Sequence, residues 1–101
     1  MSEVSAIAIS VAKRGCEEKL AEALEGLLAP THKERGMLQY EMYRDVNEPR
    51  CFVFIERWED EGTFTAHCNS PHVEAYLQRT EGWVESNRIH VLKKGKSEVK
   101  G

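Results

Sequence analysis

Apolar and polar positions alternate with period two over residues 4–11, setting Ile7, Ile9 and Val11 on one side and Ala6, Ala8 and Ser10 on the other. That is the pattern of a β-strand with a bulky face and a small face. Lys13-Arg14-Gly15 closes the strand, and the spacing then changes. Leu20, Ala23, Leu24, Leu27 and Leu28 fall in one helical stripe, with Glu17 and Glu18 near the positive N-terminal end. Pro30 predicts a break or kink, 31–35 is still compatible with helix, and Gly36 supplies a left-handed end. Residues 37–46 alternate again, Leu38, Tyr40, Met42 and Arg44 sharing a face opposite Gln39, Glu41, Tyr43 and Asp45. The turn chemistry of 47–50 leads to a third strand, 51–58. It carries Phe52, Phe54, Glu56 and Trp58 on one side and Val53, Ile55 and Arg57 on the other. Residues 60–68 predict a short helix with Phe64, His67 and Cys68 on one side. Ser70 as N-cap and Pro71 as first helical residue begin another, running to about Trp83, with Val73, Tyr76, Leu77 and Thr80 inward. A fourth strand is expected over 87–92.

The order β-α-β-β-α-β predicts an α+β, ferredoxin-like protomer, its helices on one face of a four-stranded antiparallel sheet. No helix remains to cover the face carrying Ile7, Ile9, Val11, Val53 and Ile55, so a homodimer packed sheet on sheet is expected. On the helical side, small Ala6, Ala8 and Ser10 face large Phe52, Phe54 and Trp58, which predicts a cavity between sheet and helices.

A chain of 101 residues makes one domain, here 1–92, followed by a polar tail, 93–101, expected to be mobile. Net charge is −3 with the signs intermixed, which argues against nucleic acid as a partner. Apolar runs are too short to span a bilayer, and the first ten residues lack the make-up of a signal peptide, so a cytoplasmic protein is expected. Cys16, Cys51 and Cys68 are odd in number and widely spaced, which suggests reduced thiols.

The sharpest chemical signal is Glu56, a carboxylate set among aromatic rings. If desolvated it becomes a candidate base or the partner of a histidine; the plainer alternative is a salt bridge to Arg44 or Arg88. His67, on the inner side of the short helix that follows, is placed to bond Glu56 and act as the imidazole of an acid–base pair, the alternative being a core or capping histidine. His72 is expected at the mouth of the pocket. A metal site from His67, Cys68 and His72 is disfavoured, because adjacent residues point apart on a helix and no fourth ligand stands at a usual spacing. Phosphate loops and flavin or nicotinamide fingerprints are absent from the sequence.

With Tyr40, Phe54-x-Glu56-x-Trp58, Ala66-His67 and Ser70-Pro71-His72, the sequence from about Val4 to Leu92 resembles the antibiotic biosynthesis monooxygenase (ABM) family. The resemblance implies a dimeric α/β barrel, two ferredoxin-like protomers joined through their sheets. It implies cofactor-independent oxidation of a small quinol, phenol or enolisable substrate by dioxygen, with no cofactor and no metal. By that resemblance His67 and Glu56 are the catalytic pair and Trp58 a wall of the pocket; from the residue pattern, Phe54, Phe52, Tyr40, Tyr76 and His72 are expected to contact substrate with it. Haem-degrading members carry an Asn on the first strand and a His in the later helix. Ala8 and about Leu77 occupy those places here, so haem degradation is not expected. The first strand also lacks the Asn of the polyketide oxygenases. Alternatives are a cofactor-free isomerase of a small phosphorylated signal sugar and a module that only binds a small ligand.

Overall fold

The computed structural model describes residues 2–96. Strands β1 (Val4–Ala12), β2 (Met37–Arg44), β3 (Cys51–Trp58) and β4 (Val84–Leu92) form one antiparallel sheet in the order β2-β3-β1-β4. Helices α1 (Glu17–Glu25) and α2 (Leu28–His32) link β1 to β2, and α3 (Glu61–Cys68) and α4 (Pro71–Arg79) link β3 to β4. This is the expected ferredoxin-like fold, with each helical crossover split in two.

The first split comes at Gly26 and Leu27, ahead of Pro30. Pro30 lies in the first turn of α2, where its missing N–H leaves no helical bond unmade. Gly36 then turns the chain into β2 with φ +81°. The second split is the turn at Asn69 and Ser70. Ser70 occupies the N-cap position of α4, yet its hydroxyl donates back to the His67 carbonyl at 2.7 Å instead of capping. Helix α4 stops at Arg79 rather than near Trp83: the Thr80 hydroxyl donates to the Tyr76 carbonyl at 2.9 Å, and β4 begins at Val84 rather than at residue 87.

Sheet register fixes the faces. Ala6 pairs with Glu56, Ala8 with Phe54 and Ser10 with Phe52; across β3, Tyr40 pairs with Glu56 and Met42 with Phe54. These positions face the helices. A bulge between Met37 and Gln39 corrects one expectation: Met37 packs on the core, and Leu38, expected beside Tyr40, is 46% exposed. One extra residue in the ladder exchanges the two faces. Leu20, Leu24, Leu27, Tyr40, Phe52, Phe54, Trp58 and Tyr76 make the core between sheet and helices. Full burial of a side chain such as Phe52 or Leu20 stabilises by about 1.5–3 kcal/mol.

Two surfaces stay uncovered. Ile7 pairs with Ile55 and Ile9 with Val53 on the face away from the helices. The helical layer also stops short of β4, where Ile89, paired with Ala8, is 58% exposed. Residues 93–96 have no regular secondary structure, and the rest of the tail expected to be mobile lies outside the described residues. No helix among the described residues is long and apolar enough to cross a membrane.

Candidate active site

Strand alternation puts Glu56 and Trp58 on the same face of β3, and the indole Nε1–H donates to Glu56 Oε1 at 2.9 Å. Trp58 is fully buried and Glu56 only 4% exposed. Burial pushes the Glu56 carboxyl above its ordinary range; the Trp58 hydrogen bond and nearby His67 pull it partly back, and Glu34 adds to the rise. Neither arginine foreseen as a salt-bridge partner is paired with Glu56, and Arg44 reaches Glu18 instead, at 2.8 Å.

His67 comes from α3, whose start is fixed by a capping box. Asp60 Oδ1 accepts from the Thr63 N–H at 2.8 Å, and Thr63 Oγ1 accepts from the Asp60 N–H at 3.3 Å. The imidazole is 5% exposed, lies 4.7 Å from the Trp58 ring and meets the Tyr40 ring edge-on at 5.2 Å. Its Nδ1 lies 3.0 Å from Glu34 Oε1. A carboxylate only accepts, so Nδ1 carries a hydrogen, and in the neutral ring Nε2 then holds the lone pair. Nε2 stands 3.9 Å from Glu56 Oε1, beyond hydrogen-bonding distance. The expected Glu56–His67 hydrogen bond is therefore replaced by a longer approach, and Glu34 orients the ring.

Glu34 was not foreseen. It sits just past the end of α2, where a negative charge opposes the helix dipole, and that misplacement was the available signal. The same Oε1 atom is 2.6 Å from His72 Nε2, which also lies 3.1 Å from Thr31 Oγ1 and 3.3 Å from Ser70 Oγ. One ligand atom each from Glu34, His67 and His72 falls within 4.8 Å of the others, the one grouping among the described residues that could hold a metal ion. Cys68, the third ligand weighed from sequence, is outside it.

A cavity of about 260 Å³ lies between sheet and helices. Ala8 and Ser10 of β1, the small positions, are part of its wall, as are Tyr40, Phe54, Glu56, His67 and Tyr76. Leu24, Leu27, Phe64, Val73 and Ile89 make most of the remaining lining apolar, while Asn87 and Arg88 bring polar atoms from β4. Burial raises both phenols there: Tyr40 lies well above the usual tyrosine range, with the Glu56 charge adding to it, and Tyr76 is also raised. Among the described residues the buried Tyr76 hydroxyl has no partner within hydrogen-bonding geometry, although the Ser10 and Thr80 hydroxyls lie close enough to oppose part of the rise in its pKa.

Residues 4–79 match the family described as antibiotic biosynthesis monooxygenase. The chain belongs to the ABM family. It is similar to the Bacillus subtilis protein named "Putative monooxygenase YcnE", 32% identical over 63 residues, which are 62% of this chain; the chain spans 65% of the length of that relative. The solved structure of PA3566 from Pseudomonas aeruginosa superposes with a TM-score of 0.89 at 28% identity, covering 95% of this chain and 97% of that one. SO0527 from Shewanella oneidensis gives 0.89 at 29% identity, covering 92% and 91%.

Of the candidate site residues expected from the sequence, Tyr40, Phe54, Glu56, His67 and Tyr76 line one cavity. Trp58 and Phe52 do not. Trp58 lies behind the wall, holding Glu56 and stacking on His67, and Phe52 is a core residue beneath the Arg44 guanidinium at 4.8 Å. His72 lines a second cavity of about 190 Å³ that shares Leu27 and Tyr76 with the first.

Proposed function

We propose that this ABM protein is a cofactor-independent monooxygenase of a small phenol or quinol. The observation that carries the reading is the pairing of a buried carboxyl, Glu56, with a buried imidazole, His67, at the wall of a largely apolar cavity. His67 Nε2 takes the proton of the substrate hydroxyl, Glu34 holds the ring and steadies the imidazolium that forms, and the protonated form of Glu56, which burial favours, donates to the phenolate oxygen left behind. The Tyr76 hydroxyl, buried and without a hydrogen-bond partner among the described residues, gives the substrate a second polar contact.

The chemistry balances without a protein-bound electron carrier. A phenolate with a hydrogen on its para carbon reduces dioxygen, and a C–O bond forms at that carbon as a hydroperoxide. Loss of the para hydrogen with O–O cleavage then gives a quinone and one water. The substrate supplies the electrons, and the apolar walls keep bulk water from the anion. The support for a homodimer is the uncovered face of Ile7, Ile9, Val53 and Ile55, and a cytoplasmic setting suits such chemistry.

The test is oxygen uptake by EDTA-treated protein with a series of naphthols and quinols. His67→Ala and Glu56→Gln should each lower kcat about 10²–10⁴-fold with folding retained. Turnover that continues unchanged without oxygen would instead favour a proton-shuttling isomerase. Ligand binding without turnover by any variant or the wild type would leave a binding module.

A further inference from the structure

Glu34, His67 and His72 come from three separate segments, yet their donor atoms converge. Glu34 Oε1 lies 3.0 Å from His67 Nδ1 and 2.6 Å from His72 Nε2. We propose that these three side chains form a binding site for a divalent transition-metal ion, with Zn²⁺ the best match to the ligand set. The inference is independent of the oxygenase reading and concerns binding alone.

Two imidazoles and one carboxylate are ligands that zinc takes, and His-x₄-His falls within the spacing of zinc histidines. On one continuous helix a five-residue separation would point the two rings apart. Here the turn at Asn69 and Ser70 breaks the helix, and the Ser70 hydroxyl, donating to the His67 carbonyl at 2.7 Å, ties the two halves together. That fold-back returns His72 to the Glu34 oxygen.

Charge points the same way. Glu34 and Glu56 flank His67, one partly and one almost fully buried, and among the described residues neither is in an ion pair with Lys or Arg. Buried carboxylates of this kind are normally paired or bound to metal. An ion on His67 Nδ1 would leave Nε2–H directed at Glu56, 3.9 Å away, which is the carboxylate–histidine–metal order that orients a ligating imidazole. Thr31 Oγ1 and Ser70 Oγ, both near His72 Nε2, can bond a water in the fourth position. The cavity lined by His72, Gly26, Ala75 and Arg79 gives the ion a way in.

In the metal-free protein N–H hydrogens occupy the same interactions. Zn–N and Zn–O distances of about 2.0–2.2 Å set neighbouring ligand atoms roughly 3.3 Å apart, so the carboxylate retreats by less than ~1 Å and the hydrogen of each ligating nitrogen moves to the other nitrogen of its ring. Binding also takes His67 Nδ1 and leaves Nε2 protonated, so a zinc-loaded His67 cannot accept a proton.

The experiment titrates EDTA-dialysed full-length protein with ZnCl₂ by calorimetry and with CoCl₂ by visible absorption. The expected result is one saturable ion per chain, cobalt d–d bands without thiolate charge transfer, and quenching of tryptophan fluorescence by Co²⁺ through Trp58, 4.7 Å from the His67 ring. His72→Ala and Glu34→Gln should each weaken affinity about tenfold or more, and His90→Ala, at an exposed β4 position, should leave it unchanged. Circular dichroism in EDTA checks that each variant folds; His72 is partly exposed, so His72→Ala decides if Glu34→Gln does not fold. Absence of saturable binding overturns the proposal, as do thiolate bands, sensitivity to His90→Ala, or wild-type affinity in His72→Ala.

Discussion

At the scale of single residues, Glu56 is held against its solvation preference. Desolvation raises its pKa, so the folded chain binds that proton more tightly than the unfolded chain does. The sign follows directly: between the unfolded and folded pKa values the native state carries more protons, so this group's contribution falls as pH rises through that window and is flat above it. In EDTA, Glu56→Gln should remove that slope and be at least as stable as the wild type at neutral pH, measured by urea unfolding across a pH series. Trp58→Phe acts in the opposite sense. It deletes the donor at 2.9 Å, leaves a buried carboxylate without its hydrogen bond and should cost about 1–3 kcal/mol. The cost should shrink in the Glu56→Gln background. Equal costs in both backgrounds would show that the indole contributes packing alone.

At the scale of elements, α3 determines where His67 stands, and two short-range devices seat α3. One is the capping box at Asp60; Asp60→Ala should cost about 1 kcal/mol. The other is the close approach of Gly36 to α3. Gly36 has φ +81°, and a Cβ there would meet the Thr63 side chain at 2.5 Å, while its carbonyl accepts from the Glu59 N–H at 2.8 Å. Gly36→Ala therefore adds left-handed strain of roughly 1–2 kcal/mol to a collision that pushes α3 outward. Urea unfolding reads the loss of stability. Imidazole NMR reads the displacement as a changed His67 environment, an effect that strain confined to the loop would not produce.

At the scale of the molecule, the sheet has one face covered by helices and one that is not. Ile7, Ile9, Val53 and Ile55 form adjacent cross-strand pairs on the uncovered face. A contiguous apolar surface of this kind marks a site of protein–protein contact, and the proposed homodimer uses it. Ile7→Lys with Val53→Lys should convert a dimer to monomer in light scattering at micromolar concentration, with circular dichroism unchanged. A wild type that is already monomeric would remove this face as an interface.

Period-two and helical spacing were enough to place the strands, the antiparallel α+β order and the contrast between small β1 and large β3 positions, because those depend on the backbone pleat and on which side chains fit it. Glu56 was legible as an anomaly, and His67 and Tyr76 as inward residues, for the same local reasons. What local pattern left open was set by contacts distant in sequence. The bulge at Leu38 depends on how β2 meets β3. Above all, Glu34 reaches His67 and His72 only because the segment after α2 folds over α3 and α4. Charge at 34 was visible in the sequence; its two imidazole partners, 33 and 38 residues further on, required the tertiary structure, since no periodicity encodes a contact between separate elements.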